Sequence, residues 1–170
     1  MSLMLENLKF AMGLSPIADG LDGTKRSDVY SLRAHGRILF VVAMGVATGG
    51  TATTVLTVNA CDNVTPSNRT TIPFWYREII GTTNVGDTDG AITRAAAAGF
   101  TTTAGGAKIV LVEADAKDVA AASVNSTYGN HFVELNSVEG VNDPVVTSIV
   151  AILGGGPNRY AKQINATVIV

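Results

Sequence analysis

The residues able to do chemistry are few and scattered. There are two histidines, His35 and His131, and one cysteine, Cys61. No His-x3-His or Cys-x2-Cys spacing joins them, so a zinc site has no support. No Gly-x-Ser-x-Gly elbow presents a serine, and no pattern sets a histidine beside Cys61 as a base. His35 lies in an Ala-His-Gly turn and is expected in solvent, and His131 is expected to open a strand. Asp87-Thr-Asp-Gly90 looks like the opening of a calcium loop, but the later oxygen ligands and closing Glu are missing, so a loop with Asx turns is the better reading. Glu113, Asp115 and Asp118 gather at a strand end as a solvated corner. Gly45–Gly50 and Gly154–Gly156 lack both the Lys-Ser/Thr ending of a phosphate loop and Gly-x-Gly-x-x-Gly spacing. Turn chemistry accounts for them. No cofactor, no metal and no catalytic residue is expected, and the chain is read as a non-enzyme.

One stretch exceeds this background. Phe74-Trp-Tyr76 places three aromatics in succession beside Arg77. On a strand one of them faces away from the other two. A core Trp flanked by surface aromatics is the simplest arrangement. The alternative is an interface anchor, since Trp, Tyr and Arg are enriched at binding hot spots. The other candidate interface residues are apolar and near the ends: Leu5, Leu8 and Phe10, and Val168, Ile169 and Val170. An apolar, β-prone terminal segment is a liability unless it pairs with a sheet.

The elements that must position these residues are strands. Arg37–Ala43 is apolar on both faces and should be central. β-Branched residues dominate Thr51–Ala60. Thr71–Ile80 contains Pro73, which demotes its start to an edge or bulge. Val29–Arg33, Lys108–Glu113, His131–Asn136 and Val145–Leu153 follow the same texture. Residues 2–12 read as a short helix or an extended arm, and residues 13–28 as a turn-rich surface stretch. Ala91–Ala98 has the propensity for two helical turns, stopped by Gly99. Ala114–Ala122 is a turn or short helix. The whole predicts an all-β fold, a β-sandwich or jelly-roll-like barrel of about eight short strands with extended N- and C-terminal arms. The arm or short helix covers 1–14, the sandwich 15–156 and the tail 157–170.

Composition narrows the function class. The 170 residues carry 12 basic and 14 acidic side chains, a net charge of −2, which is no footprint for nucleic acid. The longest apolar run, Ile38–Ala47, is half the length of a membrane span. No signal peptide is visible and a lone cysteine forms no intrachain disulfide, so a reducing compartment is expected. Charged residues are 15% of the chain, below the roughly 25% usual for soluble domains, and Gly, Ala and Thr make up about a third of it. Such a small, uncharged skin suits packing within an assembly.

Three segments carry a resemblance. The first is Pro16-Ile-Ala-Asp-Gly20, Gly23-Thr24 and Ser27-Asp-Val-Tyr-Ser-Leu32. The second is Gly45-Val-Ala-Thr-Gly-Gly-Thr-Ala-Thr53, Ala60-Cys-Asp62 and Ile72-Pro-Phe-Trp-Tyr-Arg77. The third is Ala98-Gly-Phe-Thr-Thr-Thr-Ala-Gly105, Val112-Glu-Ala-Asp115 and Asn142-Asp-Pro-Val-Val146. In texture and word order they resemble the small decoration, or cement, proteins of tailed-phage heads. The resemblance implies a β-sandwich that forms a homotrimer on the outer capsid surface, with the major capsid protein as partner and no nucleic acid or membrane contact. It implies synthesis in the bacterial cytoplasm and residence in the virion. A head–tail connector, a tail-tube or spike-base protein, and a carbohydrate-binding module on the virion surface are the alternatives.

Overall fold

The computed structural model describes residues 8–81, 86–122, 124 and 129–155. In chain order the strands are β1 (Lys9–Ile17), β2 (Thr24–Arg26), β3 (Tyr30–Ser31), β4 (Arg37–Met44), β5 (Thr53–Cys61), β6 (Arg69–Ile72), β7 (Phe74–Ile80), β8 (Thr88–Asp89), β9 (Thr93–Ala95), β10 (Phe100–Thr101), β11 (Lys108–Asp115), β12 (Phe132–Val141) and β13 (Thr147–Gly154). A single short helix, α1 (Ala116–Ala121), follows β11 among the described residues. The strands form two antiparallel sheets. The first runs β1-β13-β4-β11-β7-β8, with β9 also on β7. The second runs β10-β5-β12-β2, with β3 on β12 and β6 on β5. The architecture is the expected sandwich, with more strands because five segments of two or three residues pair briefly, most of them in stretches that did not read as strands.

The core lies between the sheets. Ile38, Phe40, Val42, Val110, Val112, Ile149 and Ala151 from the first sheet meet Leu56, Val58, Ala60, Val133 and Leu135 from the second. Tyr30 joins them: its ring packs on Phe40 at 5.9 Å and its hydroxyl donates to the Met12 carbonyl at 3.1 Å. Doubly apolar β4 sits between β13 and β11, as its sequence requires.

Four sequence expectations change. Residues 9–17 are an edge strand of the first sheet, not a helix. Its register slips between Met12 and Leu14, where a Cβ on Gly13 would lie 3.1 Å from Ile149 and 3.2 Å from the Tyr30 hydroxyl. The alanine run yields β9, because pairing with Phe74–Tyr76 and burial of Ala95 outweigh a helix propensity worth only tenths of a kcal/mol per residue. Pro73 separates β6 in the second sheet from β7 in the first, so the chain changes sheets where it lacks an N–H to donate. The aromatic triplet is inverted: Phe74 and Tyr76 point inward and Trp75 outward. The register sets this phase, since Tyr76 pairs with buried Val112 and a slip of one residue would reverse every side chain. Asp115 caps α1 by accepting from the Lys117 N–H at 2.9 Å.

Candidate interaction surfaces

The structure disperses the reactive side chains. Glu113 pairs with Arg37 at 2.8 Å, Asp118 with Arg94 at 3.4 Å, and Asp115 caps the helix. Asp89 lies 3.6 Å from Arg77. Cys61 is buried, and desolvation, reinforced by the Glu134 carboxylate, pushes its thiol up to about 12. It is therefore a packing residue near neutral pH. Among the described residues no three His, Cys, Asp or Glu side chains converge to hold a metal ion.

His35 is half-buried, unlike the solvent position expected, because Gly36 is tied to Gly154 and draws the turn onto the sheet end. Burial first, and Lys9 second, lower its pKa from 6.5; burial and Arg33 lower that of His131, whose ring lies 4.2 Å from Phe132. The unfolded chain then binds more protons than the native one as pH falls through the unfolded value near 6.5, so stability falls with acidification. Thermal melts should show a lower Tm at pH 5.5 than at pH 7.5. The gap should shrink in the His35→Asn, His131→Asn double variant; an equal gap would exclude the histidines as its source.

The outer faces of the two sheets differ in kind. On the second, the centre is polar. Glu134 is 1% exposed, accepts from Arg69 Nε at 2.8 Å and Asn59 Nδ2 at 3.0 Å, and lies 3.6 Å from Arg26. Asn136 donates to Thr57 at 3.1 Å beside it. The Glu134 carboxylate thus has the partners its burial demands, while Asn136 Oδ1 beside it is buried without a hydrogen-bond partner.

On the first sheet the outer face is apolar. The registers align Phe10, Ile152, Leu39, Glu113 and Trp75 in one row across the strands. Met12, Val150, Val41, Leu111 and Arg77 form the next, and Ser148, Ala43, Ile109 and Ile79 a third. Phe10, Met12, Trp75, Ala43 and Ile109 are exposed; the other apolar members are half-buried. Trp75 is 45% exposed at the margin, with the Arg94 guanidinium 5.7 Å from its ring centroid. Small residues in the third row, Ala43 and Ser148, leave a shallow groove of about 360 Å³ bordered by Gly45, Ile79, Gly81, Asp87, Ile109 and Val146.

The sequence-predicted interface residues therefore separate. Phe10 and Trp75 share the apolar face, and Arg77 stands on it beside Asp89. Leu8 is half-buried at the head of β1. Phe74 is in the core and Tyr76 stacks on Phe100 at 3.9 Å, so neither offers its ring to a partner. Leu5, Val168, Ile169 and Val170 lie outside the described residues.

The apolar surface continues over one end of the sandwich. There the loops before β5 and before β13 meet. Asp143 accepts from the Gly49 N–H and the Thr51 N–H, each at 2.7 Å, and from the Thr51 hydroxyl at 3.1 Å. The Thr51 N–H, then the Gly49 N–H, hold its carboxyl below the usual range. Gly45 donates to the Val146 carbonyl at 2.8 Å and Thr48 to that of Pro144 at 3.2 Å. These bonds pin the loops while leaving Val46 73% exposed, with Val146, Val141 and Ile17 exposed around it. Sequence reasoning read Gly45–Gly50 as a turn and missed this clamp. The available signal was an Asp-Pro pair and a glycine cluster, and nothing in their spacing, almost a hundred residues apart, joins them.

No protein-family model and no curated protein sequence matches the chain. Among solved structures it is similar to the SPBc2 prophage-derived protein YomS, at 9% identity over 86% of this chain and 92% of that one, with a TM-score of 0.45. It is similar to the CBM22-1–GH10 modules of Clostridium thermocellum endo-1,4-β-D-xylanase 10B complexed with xylohexaose, at 14% identity over 92% of this chain and 28% of that one, with a TM-score of 0.37. It is also similar to infectious bursal virus-derived T=1 particles, at 9% identity over 92% of this chain and 42% of that one, with a TM-score of 0.27. Likenesses at these identities and scores assign neither a family nor a function.

Proposed function

We propose that this chain is a non-enzymatic structural protein of a tailed-phage virion, bound to the outer surface of the capsid and reinforcing the lattice of major capsid proteins. The observation that carries the reading is the pinned apolar end of the sandwich. Val46 and Val146 stand out from loops that Asp143 holds in place, with Val141 exposed at the end of β12, so a partner surface meets a shape already formed and little ordering entropy is lost on contact. The word-order resemblance to decoration proteins supplies the identity of that partner. The mechanism is linkage. A shell packed with DNA is under outward pressure, and a protein that binds only the expanded lattice stabilises it by mass action. Many copies sum modest contacts. The virion-surface carbohydrate reading rests on exposed Trp75, but Arg94 already occupies a face of its ring.

Heads assembled without this protein should form and then break at a lower temperature than complete heads. The Val46→Asp, Val146→Asp double variant should remain folded and fail to restore the complete-head temperature. Heads equally robust with and without the protein would end the reading. Recovery of the protein in six- or twelve-fold rings would move it to the tail or neck, and loss of glycan binding on Trp75→Ala would move it to the carbohydrate class.

A further inference from the structure

We propose that the apolar outer face of the first sheet is the contact between copies of this chain. The inference stands apart from the shell reading, which uses the end of the sandwich. Five strands about 4.8 Å apart, each about seven residues long, make a face of about 600 Å². Two such faces bury about 1,200 Å², the lower bound for a stable specific interface. That extent is at the upper end of the largest apolar patch on a typical monomer, and such patches are often functional. The middle of the face, Val41, Leu111, Val150 and Ile152, has the composition of a core cut in half, which is the mark of a permanent interface.

The occupant follows from charge and from timing. Of the charged groups on the face, Arg37 with Glu113 and Arg77 with Asp89 are paired within the chain and stand toward its margin, and Asp87 borders the groove. A face with so little net charge can meet its own copy with little like-charge repulsion, whereas a strongly charged partner would gain nothing from it. The face also exists as soon as the chain folds, before any larger particle is present. The occupant always available then is another copy. The second sheet offers no comparable apolar surface, because its centre is the polar network around Glu134.

Light scattering on the full chain after size exclusion tests this. Wild type should elute as a homo-oligomer at micromolar concentration. Val41→Lys, in the middle of the face, should weaken association by at least about a hundredfold and give monomers. Met12→Asp, on an exposed rim position that a monomer tolerates, provides a second disruption if Val41→Lys does not fold. Thr57→Lys on the opposite sheet should leave the oligomer intact. A monomeric wild type, or an oligomer that survives both face substitutions, would overturn the proposal.

Discussion

Lys108→Ala is expected to destabilise the fold by about 3–5 kcal/mol, the cost of leaving one member of a buried ion pair behind. For a chain of this size that lowers Tm by about 10 °C. The Lys108 side chain is 1% exposed and points between the sheets. Its ammonium donates to the Thr103 carbonyl, lies 3.0 Å from the Thr103 hydroxyl and stands 3.6 Å from Glu78 Oε1. Glu78 in turn accepts from the Thr103 N–H at 3.1 Å and its hydroxyl at 3.0 Å. One residue of the 102–107 loop is thus held by both charges, and removing the cation leaves a carboxylate in low dielectric. The Lys108→Met, Glu78→Leu double variant should recover most of the loss, because it removes both desolvation costs. Thermal melts of the three proteins decide it. A Lys108→Ala Tm within about 2 °C of wild type would contradict the burial of this knot.

Phe40→Ala is the second large effect, again about 3–5 kcal/mol, here from lost transfer energy and the cavity left behind. Phe40 is fully buried on the central strand of the first sheet and meets Tyr30 from the second. Tyr30 also holds β1 through the Met12 carbonyl, so the cavity opens where the two sheets and the edge strand join. Phe40→Leu should cost well under half as much, since it keeps most of the volume. Guanidinium melts should show the order wild type, Phe40→Leu, Phe40→Ala. An Ala variant as stable as the Leu variant would place the ring outside the load of the core.

Much of the fold was legible because strand signals are local. Alternation and β-branching mark β5, β12 and β13, and the doubly apolar run marks β4 as central. What failed was whatever depended on a distant partner. The alanine run around Arg94 had every local reason to be helical, and only the open edge of β7 made it a strand. The aromatic triplet fixed that one ring would face away from the other two, but not which, because a strand has two phases and its neighbour's register chooses between them.

The same physics separates the two sources for the candidate surfaces. Lys-Ile-Val-Leu-Val-Glu from Lys108 to Glu113 is apolar in both phases. By itself the sequence determined that this is a buried strand in an all-β chain with little charge and no visible catalytic motif. Only the tertiary structure decided that Lys108, Val110 and Val112 turn inward, where Glu78 satisfies the ammonium, while Ile109 and Leu111 turn outward. It likewise decided that Asp143 closes on Gly49 and Thr51. The reason is range: a strand's propensity is set by its own residues, but the side it shows to the world is set by partners that the chain brings from elsewhere.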